Sequence, residues 1–179
     1  MRDELVERCR QGHKPSYEAL YRQYAKAMFN TSLRILNNRT DAEDVLQDAF
    51  LDAFRSLSDF EYRSTFGAWL KRIVVNKSIN LLRKRKLDWV ELDDQVPATE
   101  ESDRPDEGQD EISWKVEEVK KAIQALPDGY RTVLSLYLLE GYDQEEIAGI
   151  MGISHNTVRT QYTRGKQRLL RELKEGGIT

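Results

Sequence analysis

The chain has 179 residues, a third of them charged, and a formal net charge of -3. Cys9 is the only cysteine, and His13 and His155 are the only histidines. This excludes an intramolecular disulfide framework and a Cys/His zinc site. The opening "MRDELVERCR" lacks the apolar stretch of a signal peptide, and no run approaches membrane-spanning length, so a cytosolic protein is expected.

The mean charge hides a pattern. Residues 1–87 hold 17 Lys+Arg against 11 Asp+Glu, residues 88–118 hold 2 against 13, and residues 119–179 hold 9 against 7. Two mildly basic bodies flank an acidic connector.

The periodicity is helical nearly throughout, with no convincing period-2 run, so the fold class is all-α. A short helix is expected over 3–11, stopped by Gly12, with "GHKPS" as a turn. The next helix spans about 16–36, with Tyr17, Leu20, Tyr21, Tyr24 and Met28 on one face. "NNRT" breaks it, and Thr40 with Glu43 offers a capping box for a third helix ending near Ser58. That helix has a clean apolar side of Ala42, Val45, Leu46, Ala49, Phe50, Ala53 and Phe54. Its other side carries Asp44, Asp48 and Asp52, with Leu51 among the acids. "DFEYRS" reads as a loop. Ser64 can cap a fourth helix to Lys86 whose core side is Phe66, Leu70, Ile73, Val74 and Leu81. Four helices make one bundle over 1–87.

Residues 88–112 are too acidic and too poor in apolar surface to fold alone, and form a flexible linker. Its 25 residues would reach roughly 80 Å extended. A second helical domain, 113–179, follows. Its first helix presents Ile112, Val116, Val119, Ile123 and Leu126 and ends at "PDG". "YRTVLSLYLLEG" is the next helix. "YDQEEIAGIMG" is short, with Asp143 and Glu146 as a capping box, and Ser154 caps the long last helix.

The final pair reads as helix-turn-helix. Ile147, Ala148, Met151, Val158 and Leu169 turn inward, Ile153 plugs the joint, and Gly152 permits the tight turn. The outward side near the helix start then carries His155, Asn156, Arg159, Thr160, Gln161 and Arg164. The start of a recognition helix is what meets base edges in the major groove. Arg suits guanine there, and Asn or Gln suits adenine. A solvated amphipathic helix in an ordinary bundle is the competing reading.

On the fourth helix, Arg72, Asn76, Asn80 and Lys84 are spaced by four and share one face. Asn is a poor helix former, so two in register point to a contact surface. Phe60, Tyr62 and Arg63 in the preceding loop suit an unstacked base, and "RKRK" at 83–86 suits phosphates. Trp69 is more naturally a core residue, and the basic run could be a solvated helix end. On the third helix, Asp41, Asp44 and Asp48 are strung along an exposed face without histidine, which disfavours a metal. A partner with basic residues fits that face better.

Together these segments resemble a bacterial extracytoplasmic-function sigma factor, the minimal type with sigma-2 and sigma-4 domains only. "DAEDVLQDAFLDAF" is similar to the family's polymerase-binding helix. "F…STFGAWLKRIVVNKSIN" is similar to its minus-ten loop and helix. "LPDGYRTVLSLYLLEGYDQEEIAGIMGISHNTVRTQYTRGKQRL" is similar to its minus-thirty-five domain. The likeness covers about residues 5–87 and 112–174.

The resemblance implies docking on the clamp helices of core RNA polymerase through Asp44, Gln47, Asp48, Leu51 and Asp52, with the flap as a further contact. It implies minus-ten reading and melting by Phe60, Glu61, Tyr62, Arg63, Ser64, Arg72, Asn76, Asn80, Arg83 and Lys84. It implies minus-thirty-five reading by Ser154, His155, Asn156, Thr157, Arg159, Thr160, Arg164 and Arg168. No cofactor is implied, and the partners are core polymerase and promoter DNA. An anti-sigma factor could hold the chain near the membrane, which the chain, expected to be a monomer, does not itself touch.

Two positions depart from the family pattern. Val74 stands where alanine is common. Gly165 turns the usual "RAR" into "RGK", which costs roughly 1 kcal/mol of helix propensity and would loosen the last turns of the recognition helix. A free-standing repressor or activator is the nearest competing class. An enzyme fits poorly, because no nucleophile–base pair, phosphate-cradling glycine loop or metal cluster is visible.

Overall fold

The computed structural model describes residues 3–85 and 112–175, with side chains of the second segment from residue 115 onward. Apart from Ile112, the expected linker at 88–112 lies outside the described residues. The chain divides into two compact units, Met1–Lys86 and Leu87–Thr179. Every regular element among the described residues is helical.

The first unit holds α1 (Glu4–Arg10), α2 (Lys14–Leu36), α3 (Arg39–Arg55), a 3-10 turn (Leu57–Asp59) and α4 (Phe66–Lys84). Helix α2 begins two residues earlier than expected, because Pro15 falls in its first turn, where a missing N–H costs nothing. It stops where Asn37 adopts the left-handed conformation and its N–H bonds back to Leu33 O at 2.8 Å.

Two caps differ from the sequence expectation by one or two residues. Helix α3 is capped by Asn38, whose side chain accepts from the Asp41 N–H at 3.0 Å, and Thr40 lies inside the first turn. Helix α4 is capped by Thr65, whose hydroxyl accepts from the Ala68 N–H at 3.2 Å, and Ser64 stays in the loop. Helix α3 also ends at Arg55, and the residues up to Asp59 tighten into the 3-10 turn.

Helices α2, α3 and α4 pack mutually around one core. The expected apolar side of α3 is buried from Ala42 to Ala53, with Phe54 half-buried. The rings of Tyr17 and Phe54 meet edge-on at 4.9 Å, and those of Tyr21 and Phe50 meet tilted at 4.8 Å. On α4 the buried stripe is Phe66, Leu70, Val74, Val75, Ser78, Ile79 and Leu82. Ile73 and Leu81, expected in the core, flank that stripe half-exposed. Within it the Ser78 hydroxyl bonds both Val74 O (2.8 Å) and Ser32 Oγ (3.0 Å), so a buried polar pair is satisfied.

The second unit holds α5 (Ile112–Ala125), α6 (Asp128–Leu134) continued by a π-helical turn (Ser135–Leu139), α7 (Gln144–Met151) and α8 (His155–Glu175). Ile123, Leu126, Tyr130, Leu134 and Leu169 form one buried cluster, with Leu139 and Tyr162 packed against it. Val116, expected on the core side of α5, is exposed. Arg131 is buried and bonds Leu126 O at 3.1 Å while pairing with Asp128.

The Asp143/Glu146 capping box forms as expected, with both bonds at 2.8 to 2.9 Å. Gly152 takes the left-handed conformation (φ +66°) that turns α7 into α8. Ser154 accepts from the Thr157 N–H at 3.0 Å and so caps α8.

Helix α8 runs unbroken through Gly165, contrary to the expected loosening. The glycine is buried, and a Cβ there would lie 3.1 Å from Tyr130 Cβ and 3.3 Å from Leu134 Cδ1. Its place is a close approach of α8 to α6, where even one added carbon needs its neighbours to give by a few tenths of an ångström and a branched side chain needs more. Gly165→Val should therefore destabilise the chain by about 1–3 kcal/mol. Denaturant unfolding checks this, and an unchanged or raised midpoint would show that the α6–α8 contact has slack.

Candidate nucleic-acid interface

Burying one stripe of α3 leaves the opposite stripe in solvent. Asp44, Gln47, Asp48, Leu51 and Asp52 are all exposed, Leu51 at 52%. Asp52 is not equivalent to the others. Its carboxylate meets Lys77 of α4 at 2.6 Å, and that hydrogen bond, helped by the charges of Lys77 and Arg55, holds its pKa below the usual value against a weaker desolvation effect. Asp52 thus ties α3 to α4 and offers a partner less charge than Asp44 or Asp48.

On α4, Arg72, Asn76, Asn80, Arg83 and Lys84 are exposed, and the first three form a continuous row. Val74 is fully buried on the far side, so the departure at that position leaves the polar row unchanged.

The loop before α4 is divided. Glu61, Arg63 and Ser64 are exposed, and Glu61 pairs with Arg63 at 2.7 Å. Phe60 is only 3% exposed. Its ring lies 5.0 Å from Trp69, 4.6 Å from Tyr62 and 6.0 Å from Phe66. An aromatic cluster therefore sits beneath the loop, and Trp69 belongs to it.

Tyr62 has φ +58°, a left-handed backbone uncommon for a bulky residue and costing of order 1–3 kcal/mol. Contacts from α1 hold it there. The Tyr62 hydroxyl donates to Glu7 Oε1 at 2.6 Å, and the Arg10 guanidinium sits 5.2 Å from the ring centre. Arg10 also donates to Leu57 O at 3.1 Å and to Phe60 O, and pairs with Glu7 at 3.1 Å. Sequence reasoning missed this cluster, because Glu7 and Arg10 look like ordinary exposed charges on a short helix.

In the second unit, Ser154, His155, Asn156, Arg159 and Arg168 are exposed, while Thr157, Thr160 and Arg164 are half-buried. Arg168 pairs with Glu172 at 3.2 Å. Gln161 departs from expectation. It is 5% exposed, on the inward stripe Val158, Gln161, Gly165, Leu169. Its spacing, three residues after Val158 and eight before Leu169, carried that information in the sequence.

Two family models match the chain: Sigma-70 region 2 over residues 20–87 and Sigma-70, region 4 over residues 116–169. Among curated proteins, the ECF RNA polymerase sigma factor SigE of Mycolicibacterium smegmatis is 32% identical over 163 residues, covering 89% of this chain and 62% of that protein. The RNA polymerase sigma-H factor of Pseudomonas aeruginosa is 31% identical over 175 residues, covering 92% of this chain and 89% of its own. A solved structure of the sigma factor RpoE in complex with the anti-sigma factor NepR, from Bartonella quintana, aligns with TM-score 0.56 at 25% identity, over 88% of this chain and 96% of that one. The chain belongs to the extracytoplasmic-function RNA polymerase sigma factors of the sigma-70 family, which direct core polymerase to promoters. No helix among the described residues is long and apolar enough to cross a membrane.

The Tyr62 hydroxyl has its pKa pushed up from 10.0 to about 12, first by desolvation, then by its bond to Glu7 and the charge there, with Arg10 opposing. A tyrosine pKa raised by folding means that the fold prefers the neutral form. Its contribution is full below about pH 10 and lost as pH climbs toward 12. Burial and the charge of Asp3 raise Tyr24 as well, so ultraviolet titration of the folded chain should show late-ionising tyrosines whose amplitude falls by one residue in Tyr62→Phe. If the late amplitude is unchanged by the substitution, the bond to Glu7 is not formed in solution.

Proposed function

We propose that α3 docks on the clamp helices of core polymerase through Asp44, Gln47, Asp48 and Leu51, with Asp52 at the margin. The observation that carries this reading is the exposed Leu51 ringed by acids on a helix whose other side is sealed in the core. The carboxylates steer the helix toward a basic partner and fix its register. Leu51, desolvated on docking, is the anchor.

In the bound holoenzyme, Arg72, Asn76 and Asn80 lie along the minus-ten element, and Arg83 and Lys84 contact phosphates. Glu61, Arg63 and Ser64 receive a base that has left the stack, with Tyr62 and Phe60 shaping the loop from beneath. Capture offsets a few kcal/mol of unstacking, so melting is aided without a chemical step. His155, Asn156, Arg159, Thr160 and Arg164 enter the major groove of the minus-thirty-five duplex. Ser154 and Thr157 shape that helix start, and Arg168 reaches the backbone.

The second unit meets the polymerase flap, and the chain holds both promoter elements at once. An anti-sigma factor covering the α3 face or α8 would hold the chain inactive. The chain works in the cytoplasm as a monomer until it joins the polymerase.

Leu51→Ala or Asp48→Arg should abolish co-elution with core polymerase, and run-off transcription with it, while circular dichroism and melting stay unchanged. Undiminished co-elution would remove α3 as the docking face. Arg159→Ala should alter upstream-element preference by about 1–3 kcal/mol, read by competition among variant promoters in the presence of core polymerase. An unchanged preference would exclude a bidentate base contact by Arg159.

A further inference from the structure

We infer that α1 sets the shape of the minus-ten loop, with Glu7 and Arg10 as positioning residues for base capture; this rests on residues 60–64 being the base-reading loop. The Sigma-70 region 2 match begins at residue 20, after α1 has ended, so nothing in that match assigns α1 a task.

The geometry is specific. A single guanidinium ties together both ends of the turn before α4. Arg10 Nε and Nη2 each donate to Leu57 O at 3.1 Å, and Nη2 also donates to Phe60 O. The same group faces the Tyr62 ring, whose hydroxyl is held by Glu7 at 2.6 Å. Glu7 in turn pairs with Arg10 at 3.1 Å, closing the cycle.

The planar, five-donor guanidinium suits this task, because it can serve two carbonyls, a carboxylate and a ring at once. A lysine would supply one point charge and fewer directed bonds. The clamp is what offsets the unfavourable backbone at Tyr62.

The clamp also divides labour within the loop. Phe60 is buried in the aromatic cluster, and Tyr62 is engaged by Phe60, Arg10 and Glu7. The exposed edge left for a base is Glu61, Arg63 and Ser64. Releasing Tyr62 would change which atoms a flipped base meets, so α1 acts on capture without touching DNA.

The test uses the full chain with core polymerase on promoter DNA carrying 2-aminopurine at one non-template minus-ten position at a time. Arg10→Ala should reduce the unstacking signal at the loop-read position about tenfold, leaving core co-elution and upstream binding unchanged. Tyr62→Phe should give a partial loss. Glu7→Gln, which keeps an acceptor, should be close to wild type, and Glu7→Ala should match Tyr62→Phe.

Limited trypsin digestion of the free chain reads the clamp independently of DNA. Cleavage after Arg63 should quicken about tenfold in Arg10→Ala and remain slow in Glu7→Gln. Wild-type unstacking at every position in Arg10→Ala would overturn the proposal. Loss of core co-elution by both Arg10→Ala and Tyr62→Phe would also overturn it, since the cluster would then only hold the fold. If the wild-type chain gives no unstacking signal but Arg63 becomes labile in Arg10→Ala, the clamp exists and the base-reading assignment of the loop is what fails.

Discussion

The first unit depends on one constraint: α3 is enclosed by α2 and α4 along a single stripe, so it must offer its opposite stripe to solvent. Seven apolar positions at helical spacing leave no freedom in how the helix rolls. The acids and Leu51 are displayed because Ala42, Val45, Leu46, Ala49, Phe50 and Ala53 are committed to the core. Each fully buried Val, Leu or Phe on that stripe is worth about 1.5–3 kcal/mol, far more than any surface charge pair nearby. Packing therefore decides what a partner can see.

The same logic sets the exposed polar face of α4. Once Phe66, Leu70, Val74 and Ile79 enter the core, the Arg72–Asn76–Asn80 row has only one direction to face. The Asp52–Lys77 contact links the two displayed surfaces, so α3 and α4 are joined by charge as well as by packing. The loop between them is a different kind of structure. It has little regular hydrogen bonding of its own, and its shape comes from an aromatic floor and from α1.

Much of this was legible in the sequence. Periodicity located each α-helix among the described residues, though not the 3-10 or π-helical turns, and the α3 stripe was read residue by residue. Caps were misplaced by one or two positions, because Asn38/Thr40 and Ser64/Thr65 are chemically near-equivalent candidates, and only backbone geometry chooses between them. Ile73 and Leu81 were assigned to the core in place of Val75, Ile79 and Leu82, because α4 is apolar on a broad arc and the sequence does not say where its neighbours lie. Gln161 was read as outward on its chemistry, although its spacing placed it on the stripe with Val158 and Leu169. Gly165 was read as a weak point, because helix propensity is local and the approach of Tyr130 and Leu134 is not. The α1 clamp could not be read at all: its contacts span about fifty positions, and neither Glu7 nor Arg10 belongs to a motif.

The π-helical turn at Ser135–Leu139 has one more consequence. Tyr130 and Leu134 lie on the core side of α6, and α-helical spacing would bring Leu138 in next. The Glu140 N–H instead bonds five residues back to Ser135 O at 3.0 Å, so one extra residue is wound into the turn. Leu139 thereby inherits the inward position, and Leu138 is left 49% exposed, while Tyr137 leans on Tyr162 with ring centres 4.8 Å apart. The wider coil works as a phase shifter. It advances the hydrophobic rhythm by a single step, so two bulky side chains stand outward on a segment whose α-helical continuation would have hidden one of them.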